Sequence, residues 1–436
     1  MAMMAAIAIH GTPAAQPAPP PPAPAATAAD TAANTALARR AADAVTVING
    51  GGDPASLFGP AFLAQVPPER MRALAAQLVQ QYGRAERVTG ITPRGANAGV
   101  ADIATERGTL HILIAVAADP PHRIETMLVT GAELNGDTTA AVMQEIRALP
   151  GTTSVALARL DDDGPHMLDG IEPDRPMAIG SAFKLFVLAE LDRQVRAGQR
   201  HWSDVVTLDS HSTPSGVLQT WPRGAPVTLQ TLATLMISIS DNTAADTLLR
   251  IAGRENVERM MTTIGVRSAA RDRPFLSTLQ AFALKAAPPA AYAAWQGADE
   301  AGRRAMLDRD YARVDPAAIP ATLFDNGPVR IDTLEWFASP ADLARTVDWL
   351  RRNASDTARA ILAVNPGNSA LRDRFAYVGY KGGSEPGVLN VTWLLRGRDG
   401  TWYAASGSWN NPAAALDEGR FLGLMARAAG LLAAGS

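Results

Sequence analysis

The stretch Ala178–Leu191, AIGSAFKLFVLAEL, limits the possible folds more than any other part of this chain. Phe183, Leu185, Phe186, Leu188 and Leu191 recur at helical spacing and call for a helix packed inside protein. Lys184 stands among them, on the side that should be buried. A lysine in that position either snorkels to water or gives up its charge. Ser181 precedes it by one turn, at the mouth of the helix, where free N–H groups and the helix dipole favour negative charge. From this stretch alone, the serine reads either as an N-cap or as a reactive hydroxyl.

Composition narrows the partners. The chain has 436 residues, enough for two domains with a core each, and a formal net charge of -3 without any basic block. Nucleic acid and anionic membrane are therefore poor partners, and a small molecule or another protein is expected. Cysteine is absent, so disulfides and thiol chemistry are excluded. The six histidines show no HExxH-like spacing. No metal and no cofactor is expected. MAMMAAIAIH is apolar but too short to span a bilayer, and a Pro/Ala-rich linker follows it. Residues 1–29 thus read as a disordered tail or as an export-signal remnant plus linker, with no transmembrane segment. Oligomeric state is left open.

Residues 30–149 read as one small α+β domain. Two helices, NTALARRAADAVTVING and PPERMRALAAQLVQQYG, precede four strand-like segments divided by Gly, Pro and Asp turns. Asp102, Glu106 and His111 read as polar residues on solvated strand faces or turns. A second domain occupies 150–436. It opens with a strand in GTTSVALARLDDDG and continues into the long helix that carries Ser181 and ends at Gly198. Ser240, Asp241 and Asn242 form an SDN triplet inside LATLMISISDNTAADTLLRIAG, an apolar helical stretch in which buried polar groups must satisfy one another. Lys381 comes at the end of a strand, and Gly382 and Gly383 let a ligand approach the backbone closely. Trp221 lies on the segment leading to the triplet and either walls a cleft or packs its loop. Trp393, Trp402 and Trp409 are expected in the core.

SxxK, SDN and KGG in this order resemble the motifs of the serine β-lactamase and penicillin-binding-protein superfamily, class A β-lactamases most closely. The resemblance spans about residues 150–436, with PVTLQTLATLMISISDNTAADTLL its most persuasive stretch. It implies a two-domain fold class. The C-terminal part is a class A β-lactamase-like α/β serine hydrolase domain with an antiparallel sheet flanked by helices. The N-terminal part is an α+β cone-like domain, similar in element order to steroid-isomerase and cystatin-like folds, as in the two-domain esterase-type proteins of clavulanic acid biosynthesis. It also implies the chemistry. Ser181 is the nucleophile and Lys184 its base, while Ser240 passes the proton to the leaving group and Lys381 tunes that hydroxyl. The N–H groups of Ser181 and Ser384 form the oxyanion hole beside Gly382 and Gly383, and Asn242 orients Lys184 and the substrate amide. The implied activity is β-lactam hydrolysis, with esterase action or acylation without release as alternatives. The implied location is periplasmic or secreted.

The departures from the pattern carry their own expectations. Where class A enzymes have a Glu-Pro-x-Leu-Asn loop this chain has Arg273-Pro274-Phe275-Leu276-Ser277, so the usual water-activating glutamate is replaced by arginine, and deacylation is expected to be slow. Asp272 is the nearest replacement for that base. Gly382 replaces the motif threonine, and no arginine stands near Leu389, which weakens recognition of a substrate carboxylate. An insertion near 285–328, Ala-rich and partly helical, reads as a lid or as surface decoration.

Overall fold

The computed structural model describes residues 28–433; the tail read as signal remnant and linker lies outside them up to Thr27. The first unit runs through α1 (Ala28–Ile48), α2 (Pro54–Leu57), α3 (Pro60–Gln65) and α4 (Pro68–Tyr82). It continues into β1 (Ala85–Pro93), β2 (Ala98–Thr105), β3 (Gly108–Val116) and β4 (Ile124–Leu134). The strands form one antiparallel sheet in that order. Strict alternation in β3 sends Leu110, Ile112 and Ile114 inward against Leu37, Ala41 and Ala44 of α1. The opposite face is more polar, but its groups are not merely solvated. His111 Nδ1 and Asp102 Oδ1 are cross-strand partners 2.7 Å apart, and Glu106 accepts from Arg84 N–H.

The second part takes in α5 (Thr139–Arg147), ahead of the expected boundary at residue 150, because Val142, Met143 and Ile146 pack into its core; β5 (Thr152–Asp161), β6 (Gly164–Ile171) and the short β7 (Met177–Ala178) follow. Then come α6 (Lys184–Arg196), β8 (Val205–Thr207), β9 (Pro226–Thr228), α7 (Leu229–Ser238), α8 (Asn242–Ala252), α9 (Arg254–Ile264) and α10 (Thr278–Ala286). The insertion supplies α11 (Pro289–Gly297) and α12 (Glu300–Asp310). The chain closes through β10 (Phe337–Ala338), α13 (Pro340–Asn353), α14 (Asp356–Leu362), α15 (Leu371–Arg374), β11 (Tyr377–Glu385), β12 (Val388–Arg396), β13 (Trp402–Asn410) and α16 (Glu418–Leu432).

Five strands make the main antiparallel sheet, in the order β11-β12-β13-β5-β6, so β11 is an edge strand. Hydrophobic residues on both faces of β12 and β13 need cover on both sides. On one side Val391, Trp393 and Ala405 pack with Phe421 and Met425 of α16 and Val142 of α5. On the other, Leu394 and Ala404 meet a helical layer centred on α6, whose residues from Lys184 to Asp192 are all buried. Trp393 and Trp409 are core residues, as expected, whereas Trp402 is only partly buried against the core. The two parts touch through ion pairs of Glu133 with Arg374 and of Arg94 with Asp373, the latter at 3.0 Å.

Three local expectations are corrected. Ser181 does not sit in the first α-turn; it lies in a 3₁₀ turn, Gly180–Phe183, and the α-helix starts at Lys184. The SDN stretch is not one helix, because the chain breaks at Ile239–Asp241 between α7 and α8. Lys381 is mid-strand in β11, not at its end. Competing hydrogen bonds explain the second case: the Asp241 carboxylate caps α8 by accepting from Ala244 N–H at 2.8 Å, which ends any continuous helix there.

Candidate active site

The 3₁₀ turn and the first turn of α6 bring Ser181 and Lys184 to one face, with Lys184 Nζ 3.0 Å from Ser181 Oγ. Ser240 comes to the same point from the α7–α8 break. Its φ of +59° is unusual for a residue with a Cβ and costs about 1–2 kcal/mol. That turn aims two oxygens at Lys184 Nζ: the Ser240 carbonyl at 2.7 Å and its hydroxyl at 3.0 Å. Asn242, at the start of α8, places Oδ1 2.7 Å from the same nitrogen and donates from Nδ2 to Thr213 O. Four oxygens thus surround a nitrogen that carries at most three hydrogens. In the neutral amine, the Ser181 hydroxyl can donate to Nζ. Lys184 has no exposed surface, and its burial, reinforced by the neighbouring Lys381, holds the amine well below its ordinary pKa against the pull of Asp246 and Asp241.

Lys381 reaches Ser240 from β11. Its Nζ donates to Ser240 Oγ at 3.0 Å and to the carbonyl of Gly382. Burial brings its pKa down to about 7. Ser240 Oγ therefore lies between two amines that cannot both hold a full charge cheaply at this spacing.

Two glycines let β11 lie directly on the nucleophile turn. A Cβ at Gly383 would stand 2.2 Å from Ile179 O and 2.4 Å from Ser181 N. Gly180, at φ +47°, leaves only 3.2 Å between its own Cβ position and Ser384 N. The backbone N–H groups of Ser181 and Ser384 consequently border the same small space. Gly382 has a different neighbour: a Cβ there would be 2.2 Å from the hydroxyl oxygen of Tyr380. The phenol leans along the strand and fills the place that a longer residue 382 would occupy. Burial, with Glu418 adding to it, pushes Tyr380 up to about 12, so it stays a donor. Its hydroxyl has no protein partner among the described residues.

Asp241 lies under the site. Its Oδ2 accepts from Val217 and Leu218 N–H at 2.7 and 2.9 Å, which ties the 216–218 loop to α8. Asp246, one turn further on, accepts from Ser212 Oγ, Thr278 N, Thr278 Oγ1 and Leu279 N, and anchors α10. Asp241 belongs to the SDN triplet and Asp246 follows it, but nothing in the sequence pairs either with distant N–H groups. Trp221 is 40% exposed, and no polar contact joins it to the serine–lysine cluster.

The loop at Arg273 holds no carboxylate for the cluster. Arg273, before a cis bond to Pro274, donates to Thr262 Oγ1 on α9, and Ser277 caps α10 with Gln280. Asp272 is buried elsewhere: Oδ1 accepts from Phe337 N–H at 2.8 Å, and burial raises its pKa well above the ordinary value. The structure does not bring Asp272 to Lys184.

A family model described as the beta-lactamase enzyme family matches residues 137–391. No curated protein matches the chain. Among solved structures, a beta-lactamase from Sphaerobacter thermophilus is 22% identical, with 68% of this chain and 97% of that chain covered and a TM-score of 0.48. A beta-lactamase from Chitinophaga pinensis is 16% identical, with 69% and 100% covered and a TM-score of 0.48. The protein PBP-A is 14% identical, with 68% and 96% covered and a TM-score of 0.49. With more than half of its length matched by one family model, the chain belongs to the beta-lactamase enzyme family.

Proposed function

We propose that this protein is a serine acyl hydrolase that opens β-lactams through an acyl-enzyme at Ser181. The observation that carries this reading is the contact of the fully buried Lys184 Nζ with Ser181 Oγ and Ser240 Oγ, each at 3.0 Å. Neutral Lys184 takes the Ser181 proton as Oγ attacks the lactam carbonyl, and the oxygen that becomes negative lies between the N–H groups of Ser181 and Ser384. The carbon–nitrogen bond then breaks. The proton passes from Lys184 through Ser240 Oγ to the released nitrogen, with Lys381 helping the hydroxyl give up its own. The leaving amine stays tethered as part of the opened ring.

Hydrolysis of the acyl-enzyme needs an activated water, and Arg273 with its hydrogen bond to Thr262 supplies no base. That observation favours a second reading, in which the acyl group is released slowly or retained. A chromogenic cephalosporin followed by intact mass spectrometry tests both. The expected result is rapid formation of a stoichiometric adduct that maps to the Ser181 peptide and decays slowly. Absence of both adduct and colour release would reject β-lactams and direct the search to simple esters.

Tyr380 supplies the hydroxyl that Gly382 lacks. Tyr380→Phe is expected to weaken binding of a carboxylate-bearing β-lactam by about three- to tenfold, the worth of one hydrogen bond, with the acylation rate at saturation nearly unchanged. The concentration dependence of acylation measures it, and equal effects on an uncharged ester would remove the assignment.

A further inference from the structure

Lys285, Glu335 and Glu385 form a buried cluster that the chemistry at Ser181 does not use. Lys285 is the penultimate residue of α10, where the insertion starts; Glu335 follows the insertion; Glu385 ends β11, next to Ser384. Lys285 Nζ donates to Glu335 Oε1 at 2.6 Å and to Glu385 Oε1, and the three side chains are 1%, 0% and 9% exposed. Burying two acids and one amine carries a desolvation cost that only close, hydrogen-bonded pairing offsets.

The cluster connects two places. Through Glu385 it holds the backbone just after Ser384. Through Glu335 it holds Trp336, whose N–H donates to Glu335 Oε2 at 3.3 Å. Trp336 in turn accepts from Ile179 N–H at 3.0 Å, stacks on Phe183 with ring centroids 4.0 Å apart, and donates Nε1–H to Leu276 O at 3.1 Å. Ile179 and Phe183 flank Ser181. Lys285 therefore joins the strand carrying one oxyanion donor to the turn carrying the other.

We propose that Lys285 is the cross-brace of the oxyanion hole, a positioning residue that fixes the spacing of the Ser181 and Ser384 N–H groups through Glu335 and Glu385. The proposal rests on the acyl-transfer reading above for its catalytic consequence, but not for its structural one. It also gives the insertion a role, because the brace grips both of its ends. Arg330, just past the insertion, strengthens that grip by donating to Ala287 O at 2.9 Å. Burial, then the facing Glu335, pushes Glu385 well above the carboxylate range despite Lys285, which favours its protonated form. Glutamine at 385 would reproduce that protonated state.

The test compares Lys285→Met, Glu385→Ala and Glu385→Gln. Acylation is measured with an ester and with its thiono counterpart, in which sulfur replaces the carbonyl oxygen and accepts N–H bonds poorly. Lys285→Met and Glu385→Ala are expected to slow the oxo ester by about ten- to a hundredfold, a fraction of the loss seen when an oxyanion donor is removed outright, and to narrow the oxo-to-thiono ratio. Glu385→Gln is expected to stay within about threefold of the parent, since it keeps the hydrogen bond. Equal losses on both substrates, or no rescue by glutamine, would overturn the proposal. Amide hydrogen exchange gives an answer that needs no substrate: peptides spanning 179–183 and 381–385 are expected to exchange faster together in Lys285→Met. Unchanged exchange in either peptide would overturn the brace even if the parent acylates normally. If the parent forms no acyl-enzyme with either ester while the exchange result holds, the acyl-transfer reading fails and the brace stands.

Discussion

Ser181→Ala is expected to abolish the covalent adduct, and Lys184→Met to slow its formation by about a thousandfold or more, the range for losing a nucleophile's base. The effect follows from geometry and solvation together. Lys184 Nζ, itself fully buried, touches Ser181 Oγ, both oxygens of Ser240 and Asn242 Oδ1, and burial with a second lysine nearby keeps it available as a base. Methionine fills the volume but accepts no proton. Progress curves of adduct mass for the two variants check the claim; a Lys184→Met protein acylating at near-parent rate would remove Lys184 as the base.

The same electrostatics give a pH dependence with a definite sign. Lys381 titrates at about 7, so it is charged below that value and loses its proton above it. Its charge assists the Ser240 hydroxyl and attracts an anionic substrate. Acylation efficiency is therefore expected to fall as pH rises through about 7, and Lys381→Arg, which stays charged, is expected to shift that fall upward.

The second large effect belongs to Gly383. Gly383→Ala is expected to lower acylation by about a hundred- to a thousandfold, the cost of misplacing an oxyanion donor. It is also expected to destabilise the fold by about 1–3 kcal/mol, as overpacking does. A Cβ there would collide with Ile179 O and Ser181 N, both backbone atoms that cannot rotate aside. Either the turn or β11 must move, and both carry an N–H of the same hole. Gly382→Ala meets the Tyr380 hydroxyl instead, a side-chain end that can shift, and is expected to cost far less. Thermal melts and acylation rates of the two alanine variants separate the cases. Equal behaviour would mean that contact between strand and turn does not set the site.

Much of this protein was written locally. Apolar spacing marked α6 and the β-strands, glycines and prolines marked turns, and Ser181, Lys184, Ser240 and Lys381 stood out because polar residues in apolar helices and strands need a reason. The structure brings those four into hydrogen-bond reach of one another. Local pattern failed where a side chain outbid the helix: Asp241 caps α8 and breaks the SDN stretch, and Ser240 takes a left-handed backbone that no periodicity announces. It also left Asp102 and His111 as separate surface groups, since only strand register makes them partners.

The sequence by itself determined the periodic elements and the polar residues set within apolar stretches, because each is a property of neighbouring residues; that Arg273 stands where a glutamate is expected follows from the family resemblance. Only the tertiary structure decided that Asp272 faces Phe337 N–H instead of the nucleophile, that the Tyr380 hydroxyl covers Gly382, and that Lys285 links Glu335 to Glu385. Those contacts join chain segments that meet only after folding. Their energies depend on burial and on partners brought together by the packing of sheet and helices, which no local pattern of residues encodes.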